Sequence, residues 1–167
     1  MPRSADDDQI SLHYYAQQQC ARQWTPLIAA MFAEFEAMVD PRDADRFLAA
    51  LGVRMAKYLP LQSCESLAEL EDAINTTLGD IDWGWVRLSE ARGHVEILHA
   101  AYPQVPQDKA RRSWLVPILE AIFTVWLAQQ GGAAAHTARL AAPVDASGAP
   151  LIFHYGRHDR DGAVPGA

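Results

Sequence analysis

Residues 114–127, Trp-Leu-Val-Pro-Ile-Leu-Glu-Ala-Ile-Phe-Thr-Val-Trp-Leu, restrict the folds open to this chain more than any other stretch. Positions 115, 116, 118, 119, 122, 123, 125, 126 and 127 are all apolar, so a helix formed here has no broad polar side to turn to water. Pro117 is tolerable because it falls in or close to the first turn, and Ser113 is placed to cap the start. The run is too short to cross a bilayer, which takes about 20 apolar residues. Either this helix is the centre of a core, or part of it faces another subunit.

A chain of 167 residues can build that core without help from metals or disulfides, since it buries about 70% of the surface it exposes when unfolded. The formal net charge of -7 disfavours nonspecific binding to nucleic acid or anionic lipid and leaves a neutral polymer or a protein as the fitting partner. Cys20 and Cys64 read as ordinary thiols. The N-terminus, Met1-Pro2-Arg3-Ser4-Ala5-Asp6-Asp7-Asp8, is acidic where a secretion signal would be basic and has no apolar centre, so a cytoplasmic location is expected, with the periplasm as the alternative.

The first 78 residues carry helical periodicity. Asp8 or Ser11 can cap a helix through Tyr14, Tyr15 and Gln18. Thr25-Pro26 fits the capped start of a second, with Leu27, Ile28, Met31, Phe32, Phe35 and Met38 as a broad apolar stripe. Asp40 is placed to cap a third helix with Pro41 in its first position, and Phe47, Leu48, Leu51, Met55 and Tyr58 give that helix its apolar face. Ser66 and Glu69 have capping-box spacing at the head of a fourth, striped by Leu67, Leu70, Ile74 and Leu78. The period then changes to two. Gly84 to Glu90 and Gly93 to Ala100 read as an antiparallel hairpin about Ala91-Arg92-Gly93, and Thr137 to Ala142 and Leu151 to Arg157 as further strands. The expected fold is therefore α+β, with N-terminal helices followed by a small antiparallel sheet into which one long buried helix is inserted. Residues 1–10 and 158–167 are expected to be flexible tails around a single domain at 11–157.

No catalytic constellation stands out. His94 and His99, five apart, point to opposite faces of a strand, and His154 and His158 lie roughly 13 Å apart on one, so no metal site is expected from either pair. His158-Asp159-Arg160-Asp161-Gly162 lacks the downstream glutamate of a calcium loop. Ser63-Cys64-Glu65 has no histidine close in sequence, and Glu90, Glu96 and Glu120 carry nothing that distinguishes them as paired acids. Trp83 and Trp85, alternating about Gly84, are expected to project from one face of a strand. They read as core or subunit interface, together with Trp114 and Trp126, or alternatively as a platform for a sugar ring.

Three stretches in order, Ile81-Asp82-Trp83-Gly84-Trp85-Val86-Arg87-Leu88, Tyr102-Pro103-Gln104-Val105 and Ser113-Trp114-Leu115-Val116-Pro117-Ile118-Leu119-Glu120, resemble the D subunit of bacterial cellulose synthase. The resemblance is densest between Gly79 and Trp126, and it thins toward both ends. It implies a non-enzymatic scaffold without cofactor, in which dimers assemble into an octameric ring. Such a ring would guide β-1,4-glucan chains or align synthase complexes for cellulose secretion. The implied partners are a second copy of the chain, the cellulose synthase complex and a proline-rich or disordered accessory protein. The family's proposed glucan passage involves the N-terminal segment, so Asp6, Asp7 and Asp8 are candidate glucan contacts or a solvated tail, and Tyr14 and Tyr15 candidate sugar-facing rings or helix-packing residues. An alternative architecture is a small-ligand sensor resembling vinyl-reductase-like domains, with the 114–127 helix walling an apolar pocket.

Overall fold

The structure, a computed structural model, describes residues 24–103, 114–141 and 149–158. Asp6, Asp7, Asp8, Tyr14, Tyr15, Cys20, Ser113 and the expected tails apart from His158 lie outside the described residues. In chain order the elements are α1 (Thr25–Met38), α2 (Pro41–Tyr58), α3 (Leu67–Gly79), β1 (Trp85–Ala91), β2 (His94–Ala100), α4 (Leu115–Gln129), β3 (His136–Leu140) and β4 (Leu151–Arg157). The fold class is α+β, as expected. The sheet is antiparallel throughout, with strand order β1-β2-β4-β3.

Local chemistry sets the helix ends. Asp40 accepts a hydrogen bond from the Arg42 N–H at 2.9 Å, with Pro41 in the first turn. The Glu69 N–H donates to Ser66 Oγ at 3.2 Å, while the Glu69 carboxylate accepts from the Glu65 N–H at 2.9 Å. The box thus reaches one residue further back than its usual form. At α1 the expected cap is absent: Trp24 holds the N-cap position and provides no side-chain hydrogen bond, and Thr25 is already helical. The hairpin turns on Arg92 and Gly93, with Gly93 at φ +82.

The 114–127 run is the central core helix. Ten residues of α4, from Leu115 to Leu127, are buried. Its Phe123 meets Phe153 of β4 edge-on at 5.4 Å, and Trp126 donates its indole N–H to the Leu59 carbonyl at 2.9 Å, tying the helix to the end of α2. The residues of α2 that face it differ from the expected stripe. Ala44, Leu48, Gly52 and Ala56, spaced by four, are buried, whereas Phe47 and Tyr58 are 53% and 73% exposed. The reason is closeness of approach. A Cβ on Gly52 would strike the Ile118 carbonyl oxygen and lie 2.8 Å from Ala121 Cβ, so only small residues fit where α2 crosses α4.

Both edges of the sheet are occupied by helix side chains. On the β1 edge, Asn75 of α3 accepts from the Val86 N–H at 2.7 Å and donates to the Val86 carbonyl at 3.0 Å. Glu71 accepts from the Leu88 N–H at 2.6 Å on the same edge. On the β3 edge, Thr124 Oγ1 accepts from the Ala138 N–H at 2.8 Å and Glu120 accepts from the Leu140 N–H at 2.9 Å. Glu120 and Thr124 are the two hydroxyl or carboxyl residues of the 114–127 run, and they lie four apart on one helix face. The edge N–H groups of Val86, Leu88, Ala138 and Leu140, which would otherwise be open to another strand, are thereby satisfied within the chain.

Candidate functional site

The four tryptophans singled out above occupy different environments. Trp126 is fully buried. Trp114 stacks on Phe32 of α1, with ring centroids 4.0 Å apart and planes at 16°. Trp83 is half-buried and packs against the core, while Trp85 is 45% exposed on the opposite face of the sheet. The expectation that Trp83 and Trp85 share a face is thus corrected. Gly84 at φ +84 interrupts the strand alternation between them, and β1 begins only at Trp85. That position requires glycine, because an added Cβ would collide with the Ala100 carbonyl and the Ala101 backbone. The two indoles therefore form no common platform.

The histidines divide between the two faces of the sheet. His99 points into the core, fully buried between the rings of Tyr102 and Phe123. Its Nε2 lies 2.8 Å from the Trp83 carbonyl, which can only accept, so Nε2 carries the hydrogen. Nδ1 has no hydrogen-bond partner among the described residues. Burial outweighs the bond to Trp83 and lowers the pKa from 6.5 to about 4.

On the outer face the register brings together residues distant in sequence. His154 of β4 sits directly opposite Glu96 of β2, with Nε2 3.7 Å from the carboxylate. The ring of His94, two residues before Glu96 and so on the same face, lies 4.1 Å from that of His154. One ligand atom from each of the three falls within 4.8 Å of the others. The same-strand pairs considered from sequence do not meet in this way; the cluster is cross-strand. Pairing of the 94–100 strand with the 151–157 strand is the signal that reveals it.

Glu120 also acquires a role invisible in its sequence neighbourhood. Besides receiving the Leu140 N–H it accepts from Arg139 Nη1 at 3.0 Å. It forms part of an open groove of about 400 Å³ that also includes Asp45, Val53, Thr124 and Arg139. A sensor pocket walled by α4 would be enclosed and apolar. This groove is open and partly charged, and the apolar side of α4 is filled by Phe123, Trp126 and Phe153.

Among the described residues, most of the exposed large apolar side chains lie on α1 and α2. Apart from Thr25, Glu34 and Glu36, α1 is built from apolar residues, yet none of its 14 residues is buried. The Phe32–Trp114 stack and a Phe35–Phe47 contact at 4.9 Å attach it to the body, leaving Leu27, Met31 and Met38 outward, Met31 at 62% exposure. Phe47, Val53 and Tyr58 continue the exposed apolar surface on α2. Isolated exposed apolar residues are ordinary; a whole apolar helix lacking a buried side is not. Among the described residues no helix is long and apolar enough to cross a membrane.

Comparison with known proteins gives a consistent family. The sequence profile of the cellulose synthase D subunit matches residues 10–156. A relative named cellulose synthase operon protein D from Komagataeibacter xylinus is 33% identical over 89 residues, covering 52% of this chain and 57% of the relative. A protein of the same name from Komagataeibacter sucrofermentans is 30% identical over 89 residues, with the same coverage. Another from K. xylinus is 27% identical over 114 residues, covering 66% of this chain and 72% of the relative. The chain thus spans somewhat over half the length of the first two relatives.

Proposed function

Because the chain belongs to the cellulose synthase D-subunit family, we propose that it acts in bacterial cellulose synthesis as a non-catalytic, self-assembling scaffold. The observation that carries this reading is α1, an apolar helix of 14 residues without one buried residue, continued by exposed Phe47, Val53 and Tyr58 on α2. Such a surface in water is stabilised by a partner surface of like character, and a second copy of the same chain is the occupant that the family's implied ring supplies. Burial of α1 between copies would use the exposed apolar side chains that the fold itself leaves unpacked.

In this reading dimers close into an octameric ring, and the ring aligns cellulose synthase complexes or guides β-1,4-glucan. Residues 11–157 form the one domain. The ring works in the cytoplasm and docks a proline-rich or disordered accessory protein. Asp6, Asp7, Asp8, Tyr14 and Tyr15 are the candidate glucan contacts, acids and phenols suited to hydroxyl-rich sugar.

Light scattering coupled to size exclusion on the purified chain tests the scaffold. A mass several times that of the 18.4 kDa chain is expected at micromolar concentration. A strictly monomeric protein at that concentration would overturn it.

A further inference from the structure

We propose that His94, Glu96 and His154 form a transition-metal site on the outer face of the sheet, one that takes a borderline divalent cation of the Zn²⁺ class. The three side chains are half-buried and come from two strands whose pairing is fixed by backbone hydrogen bonds. Glu96 and His154 are directly opposite each other, and His94 stands one same-face position along β2. Two imidazoles and one carboxylate match the ligand preference of Zn²⁺, Cu²⁺ and Ni²⁺, whereas Mg²⁺ and Ca²⁺ favour oxygen alone.

The geometry is close to that of a bound ion. Ligand atoms around tetrahedral Zn²⁺ at about 2.0–2.1 Å are roughly 3.3–3.4 Å apart. Here Glu96 and His154 approach to 3.7 Å, and the whole set fits within 4.8 Å. The remaining gap is about 1 Å, and the backbone already sets Glu96 directly opposite His154 with His94 one same-face position away. The bland alternative is a polar pair between Glu96 and His154 with His94 stacked beside it. That alternative leaves the convergence of His94 on the same point without a purpose.

Three protein ligands leave at least one coordination position directed away from the sheet, open to water or a further donor. Bound metal would tie β2 to β4 at the centre of the sheet and stabilise the folded state by an amount that grows with the logarithm of free metal above the dissociation constant. The site is separate from the α1–α2 surface, so it stands or falls independently of the scaffold reading.

The test uses the full chain, free of any affinity tag containing histidine, titrated with Zn²⁺ against a chromophoric chelator. One saturable equivalent is expected, and Zn²⁺ should raise the melting temperature. His94→Ala and His154→Ala should each weaken the affinity about tenfold or more, and Glu96→Gln, which preserves shape, should weaken it by several-fold. His136→Ala, on the other face of the sheet, should leave it unchanged. No saturable binding, or affinity undiminished in all three ligand variants, would overturn the site. Melting of each metal-free variant distinguishes a lost ligand from a lost fold, and Glu96→Gln decides the question should the alanine variants fail to fold.

Discussion

At the scale of single residues, burial changes what a side chain can do. His99 is held neutral in the core because its charged form would lose water without gaining an anion. Its folded pKa is depressed to about 4, so between 6.5 and 4 the unfolded chain binds a proton that the folded chain refuses. Stability from this residue is therefore complete above the unfolded value and declines as pH falls through that window, by about 3 kcal/mol in total. We expect His99→Gln, whose amide can still donate to the Trp83 carbonyl, to flatten the acid slope of stability. Thermal melts across that pH range read the slope directly. Gly52 illustrates a steric limit. Gly52→Ala should destabilise the fold by about 1–3 kcal/mol in chemical denaturation, since the added methyl meets the backbone of α4 rather than a yielding side chain. By contrast Gly79, around which nothing lies within 4 Å of a built Cβ, should accept alanine with little change.

At the scale of elements, the helices do two things for the sheet. They cover its inner face, and their side chains accept from N–H groups on both of its edges. Glu120 receives the Leu140 N–H and the Arg139 guanidinium from an otherwise apolar helix, so its carboxylate is compensated where it is buried. Glu120→Ala should cost about 1–3 kcal/mol, because it strands the Leu140 N–H and leaves Arg139 without its partner. Denaturant midpoints measure that loss. Asn75→Ala on the opposite edge removes both bonds to Val86 and should act in the same direction. The helices themselves were readable from local rules: the caps at Asp40 and Ser66 and the stripe of Leu70, Ile74 and Leu78 are properties of neighbouring residues. The face of α2 was not readable in the same way. Its large apolar residues, Phe47 and Tyr58, suggested the buried side, but contact with another helix at close range selected the small ones.

At the scale of the whole molecule, the outward character of α1 is the feature the fold leaves uncompensated. If copies of the chain meet there, Leu27→Glu together with Met31→Glu should shift the assembly toward monomer while sparing the folded body, because neither residue is buried. Light scattering gives the mass, and far-UV circular dichroism shows whether the helices persist. Retention of the assembly in this variant would place the contact elsewhere on the surface. The 114–127 run already demanded enclosure by its own composition, and the structure encloses it within one chain. Among the described residues the candidate for contact between chains is consequently the exposed apolar surface of α1 and α2, and α1 looked like an ordinary amphipathic helix in sequence.

What the sequence by itself determined was what near neighbours govern: helix and strand periods, the caps at Asp40 and Ser66, a tight hairpin turn about Arg92 and Gly93, and the burial of the 114–127 helix. Only the tertiary structure decided which distant residues meet. The pairing of β2 with β4 set Glu96 against His154 and brought His94 beside them. The docking of α4 on β3 gave Glu120 and Thr124 their partners, and Gly84 turned Trp83 and Trp85 to different faces. The physical reason is the same in each case. Periodicity is a property of one segment, whereas register and close approach depend on two segments folding onto one another, and a shift of one residue in a strand exchanges its faces.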